Sequence, residues 1–111
     1  MTAMVRVQLN GAEALFMLGA EDDPRTVENA DVEVVLSDGS RWSATFLSVA
    51  EIGRILDRWQ LTGEYLYGAY LRVPDLIVVR QGGLEQMAAV LNSILATGDP
   101  SAGLVRIDID E

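Results

Sequence analysis

The chain has 111 residues, seventeen of them acidic and eight basic, for a formal net charge of −9. That length suits a single domain, 1–111, whose core needs neither disulfides nor a structural metal, and a hydrophobic content of 50% excludes global disorder. There is no histidine, cysteine or lysine. The commonest general base, the thiolate nucleophile and the Schiff-base amine are therefore missing, so neither an enzyme nor a bound cofactor is expected. Surplus negative charge disfavours nucleic acid and anionic membranes; it serves solubility or suits a basic partner. No apolar run approaches the roughly 20 residues that span a bilayer, and no secretory or lipidation signal is visible, which makes the cytoplasm the expected compartment.

In chain order, Val5, Val7 and Leu9 alternate with Arg6 and Gln8, Asn10-Gly11 supplies a hairpin turn, and an apolar run follows from Ala12 to Leu18. That second run has good helix propensity as well, and the Asn-Gly turn decides for strand. Gly19 to Ala30 reads as a loop. Its Glu21-Asp22-Asp23 cluster lacks the alternating ligands, central glycine and closing glutamate of a calcium loop, so a solvated segment is expected.

Asp31 to Leu61 reads as the organising unit. Val32, Val34 and Leu36 alternate with polar residues, although Val35 hints that the second face is partly covered. Asp38-Gly39 predicts a primed turn, and Trp42, Ala44 and Phe46 give the return strand an apolar face. Ser48 with Glu51 has capping-box spacing. A helix is predicted from about Val49, with Val49, Ile52, Ile55, Leu56 and Trp59 along one stripe and Gly63 ending it.

Gly63 to Val73 holds Tyr65, Tyr67 and Tyr70, which suit either a strand packed in the sheet or a recognition surface. Leu76-Ile77-Val78-Val79 is an unbroken apolar run, expected of a central strand covered on both faces. After the Gln81-Gly82-Gly83 turn, Leu84 to Thr97 reads as a second helix with Leu84, Met87, Ala88, Leu91, Ile94 and Leu95 inward. Leu104 to Asp110 alternates as a last strand, and Asp108, Asp110 and Glu111 form an acidic tail of the kind that blocks edge pairing. The fold class is α+β: a mainly antiparallel sheet of about five to seven strands with two helices packed on one face.

The segment Asp38-Gly39-Ser40-Arg41-Trp42-Ser43-Ala44-Thr45-Phe46, the capped helix, Gly63-Glu64-Tyr65, Gly68-Ala69-Tyr70 and Asp75-Leu76-Ile77-Val78-Val79 together resemble a group of small bacterial proteins without assigned function. The resemblance covers roughly residues 31–97. It implies a bacterial single-domain protein and supplies no catalytic residues. Size and acidity are also similar to those of immunity proteins that neutralise bacterial toxins. The reading preferred from sequence is a protein-binding module, an immunity-type inhibitor of a basic toxin, with Glu64, Tyr65, Tyr67, Tyr70 and Asp75 as contact residues. A homodimer through an edge strand or a tyrosine-lined face is the neighbouring alternative. The other is a small-ligand binder or carboxylate enzyme in which Arg41, Arg72 or Arg80 grips an anion.

Overall fold

A computed structural model describes residues 2–107, with the side chain of Thr2 left aside. Four eight-residue strands, β1 (Thr2–Leu9), β2 (Ala12–Gly19), β3 (Asn29–Leu36) and β4 (Arg41–Ser48), form two successive antiparallel hairpins. A first helix α1 (Val49–Thr62) and a short turn α2 (Glu64–Gly68) cross over to β5 (Leu76–Val79), which pairs parallel to β4. A second long helix α3 (Leu84–Leu95), a 3-10 turn (Pro100–Ala102) and β6 (Val105–Arg106) complete the described chain. The order across the sheet is β1-β2-β3-β4-β5, and β6 pairs with Trp42 and Ser43 on the same flank of β4 that β5 occupies further along. The strand reading of Ala12 to Leu18 is correct, as is the α+β class with a mainly antiparallel sheet. The molecule is elongated, with extents of 45 × 29 × 27 Å.

Strict alternation builds the core. Ala14, Phe16, Val32, Val34, Ala44 and Phe46 project from one face of the sheet, and α3 lays Leu84, Met87 and Leu91 onto it. Phe16 and Phe46 meet at 6.4 Å between ring centroids. The N-terminus of α3 is seated by the 24–28 loop, where the Gly83 and Leu84 N–H groups donate to the carbonyls of Val27 and Pro24, both at 2.8 Å. A Cβ on Gly82 would come within 2.5 Å of the Val27 carbonyl, which is why this junction needs glycine.

Several expectations are corrected. Leu76–Val79 is not central: it flanks β4 alone, and Val78 is 50% exposed. Ile77 and Val79 face the core, while Leu76 and Val78 alternate to the other side, which is left partly exposed. Of the two helices expected on one face, only α3 is there; α1 contributes no side chain to the core cluster or to the partly buried hydrophobics around it. The turn after β3 is not primed. Gly39 N–H donates to Leu36 O, Leu36 N–H donates to Ser40 O, and Gly39 alone takes a positive φ, so a type I turn is followed by a glycine bulge.

The capping box is one-sided: Ser48 Oγ accepts the Glu51 N–H at 3.0 Å, but the Ser48 N–H donates to Glu28 O at 2.9 Å, not to Glu51. Val49, placed on the apolar stripe of α1, is 61% exposed. The last strand is two residues long, and Asp108, Asp110 and Glu111 lie outside the described residues.

Candidate interaction surface

The tyrosine segment is neither strand nor ordinary helix. Gly63 ends α1 with φ 91°, its N–H donating to Trp59 O at 2.9 Å, in the usual way for a glycine C-cap. Tyr65, Leu66 and Tyr67 then follow with φ of 49°, 54° and 58° and ψ of 56°, 48° and 43°, each near the left-handed helical values. Gly68 continues at φ 79° against α1, where a Cβ would sit 2.2 Å from Leu56 O. The chain thus makes one left-handed turn from residues that, apart from the flanking glycines, pay for it sterically.

That turn decides what the aromatic side chains do. Tyr65 is placed between Trp59 at 4.4 Å and Tyr70 at 5.1 Å, each pair tilted by about 30°. Leu66 and Tyr67 project outward and are 74% and 69% exposed. The result is an aromatic stack of Trp59, Tyr65 and Tyr70 carried on the end of α1, with Leu66 and Tyr67 exposed next to it in the chain. Trp59 and Leu66 belong to it and are not among the contact residues that the sequence singles out. Leu61, 87% exposed, falls outside the stripe of α1 that carries Trp59 and faces water on another side of the helix.

Of the residues singled out from sequence, Glu64, Tyr65, Tyr67 and Tyr70 share this outcrop, and Glu64 accepts the Thr62 hydroxyl at 2.9 Å. Asp75 does not join them. Its carboxylate accepts Ser43 Oγ at 2.7 Å and Thr45 Oγ1 at 2.8 Å, and its carbonyl accepts the Thr45 N–H at 2.9 Å, so it ties the incoming chain to β4. Thr45 Oγ1 also lies 3.1 Å from Asp31 Oδ1, which places one hydroxyl between two carboxylates.

The three arginines singled out for an anion lie in different settings, with Arg72 exposed in the stretch before β5. Arg41 is occupied by Glu33. Arg80 lines an open cleft with Val49, Ala50, Val78 and Val79, and Ser48 is the one polar side chain buried among the described residues. No buried carboxylate is therefore present there for acid–base work by separated pKa values. Among the described residues, no group of three His, Cys, Asp or Glu is placed to hold a metal ion, and no helix is long and apolar enough to cross a membrane. The carboxylates with depressed pKa are structural. Glu28 is lowered by the Ser48 hydroxyl and then by Arg54, and Asp38 by the hydroxyl and N–H of Ser40. No protein-family model, curated protein or solved structure matches the chain.

Proposed function

We propose that the protein is a binding module that docks another protein through the outcrop of Trp59, Tyr65, Leu66, Tyr67 and Tyr70. The observation that carries this reading is the left-handed turn, which stacks Tyr65 between Trp59 and Tyr70 yet holds Leu66 and Tyr67 out in water at a steric cost. Stacked tyrosine and tryptophan rings lose little rotamer entropy on contact and are favoured as interface anchors. A net charge of −9 supports a basic partner drawn in by long-range attraction. An immunity-type inhibitor of a basic bacterial toxin is the specific form of this reading, supported by size and acidity.

The test is cross-linked capture of a partner by the whole protein, repeated with Leu66→Ala and Tyr67→Ala, followed by association kinetics with the recovered partner at two salt concentrations. The reading expects affinity to fall by tenfold or more in each variant, about the loss of one interface anchor, and association to slow with salt. A partner held equally well by both variants would refute it.

A further inference from the structure

We infer that β1 is a self-association edge: two copies pair β1 with β1 about a two-fold axis to form one continuous sheet. The two flanks of the sheet are treated differently by the chain. On the far side of β4, the edge is broken into β5 of four residues and β6 of two, short pieces of the kind that discourage strand addition. On the near side, β1 runs unbroken for eight residues, its register with β2 has no bulge, and it carries no proline. Among the described residues it has no partner on its outer flank.

The hairpin fixes which backbone groups are free. Leu9 and Ala12 close a two-residue loop, and the closing pair of such a loop exchanges hydrogen bonds. By alternation Val7, Val5 and Ala3 also bond inward to β2, leaving the N–H and C=O groups of Gln8, Arg6, Met4 and Thr2 aimed at the open flank. Centring the two-fold axis on Val5 sets Val5 against Val5 of the partner subunit, Arg6 against Met4 of the partner subunit, and Gln8 against Thr2 of the partner subunit. Every outward group from Thr2 to Gln8 is then paired, by about eight N–H···O bonds. An axis on Arg6 instead would oppose like charges, which is unfavourable.

Electrostatics favours the same flank. The chain carries −9 overall, yet its first carboxylate is Glu13, and the single charge on β1 is Arg6, which pairs with Glu13 at 3.4 Å. Two acidic copies therefore meet where neither presents surplus negative charge. This inference is independent of what the outcrop binds.

The experiment is sedimentation equilibrium of the full chain over a range of concentration at low and high salt, with two variants. Since the chain has no cysteine, Val5→Cys should give a covalent dimer on mild oxidation, whereas Val7→Cys, whose facing residue is Ala3 of the partner subunit, should not. Met4→Pro removes an outward N–H while leaving the inward ladder intact; it should keep the circular dichroism of the fold and weaken dimerisation by about tenfold or more. Added salt should strengthen the native dimer by screening the −9 charges. A native chain that stays monomeric throughout, or a dimer unaffected by Met4→Pro, would overturn the inference.

Discussion

Replacing Leu66 by glycine should raise stability relative to the same replacement at Leu61, and the comparison isolates the cost of the left-handed turn. Both leucines are mostly exposed, at 74% and 87%, so each substitution gives up little buried area. Each also adds the same glycine entropy to the unfolded chain, which costs about 0.5–1 kcal/mol. These contributions largely cancel between the two sites. What differs is the backbone: Leu61 lies within α1 and Leu66 sits at φ 54°, ψ 48°. Left-handed residues with a Cβ cost about 1–2 kcal/mol each, a cost glycine does not incur. Leu66→Gly should therefore be near neutral or mildly stabilising, Leu61→Gly should destabilise by about 0.8 kcal/mol, and their midpoints should differ by roughly 4–8 °C or more in a domain of this size. Urea and thermal unfolding, followed by tryptophan fluorescence and far-ultraviolet circular dichroism, read both quantities. Equal losses at the two positions would refute the argument that Tyr65 to Tyr67 hold a sterically costly turn.

Three further outcomes follow from the packing. Phe46→Ala, at 0% exposure in the centre of the core, should cost about 3–5 kcal/mol in urea unfolding. Gly68→Ala should cost more than 2 kcal/mol, because a Cβ would meet Leu56 O at 2.2 Å on a backbone with φ 79°; exposed-tyrosine quenching should change while the amide protection of β1 to β3 is retained. Glu28 has a folded pKa below its ordinary 4.5, chiefly because it accepts the Ser48 hydroxyl. Its contribution is present above that ordinary value and is lost as pH falls through the depressed one, so Glu28→Gln should flatten the acid limb of stability below about pH 4.5. Urea titrations at several pH values would show it.

The strands were legible because their information is local. A period of two in Val5-Val7-Leu9 or Trp42-Ala44-Phe46 states which side chains share a face, whatever lies beyond. Neighbour relations are not local. Leu76–Val79 announces two apolar faces, but whether a further strand lies alongside depends on where α1 and α2 deliver the chain, and they deliver it to the flank of β4.

The stripe on α1 likewise specifies an apolar side without naming the surface that takes it. Ile55 is buried, yet the helix spends Trp59 on Tyr65 and nothing on the main core. The tyrosine segment was opaque for a different reason: no propensity encodes three consecutive non-glycine residues in the left-handed region. The readable trace was the pair of glycines at 63 and 68 that bracket it.

Asp75 separates two roles that sequence could not. By sequence it groups with the tyrosines as a contact, but its carboxylate receives the hydroxyls of Ser43 and Thr45, and its carbonyl starts the parallel ladder between β4 and β5. A tether and a contact respond differently to loss of charge. Asp75→Ala removes the acceptor of two hydroxyls and should cost about 1.5–3 kcal/mol, typical of hydrogen bonds to a charged group, with faster amide exchange along β5. Asp75→Asn keeps one acceptor oxygen and should recover part of that stability. Toward a basic partner, neutralising a tether should leave the salt dependence of association as it was, whereas Glu64→Gln, within the outcrop, should reduce it. A salt slope reduced by Asp75→Asn and untouched by Glu64→Gln would move the docking surface off the aromatic stack and onto the outer face of the sheet, where Asp31 and Asp75 share Thr45.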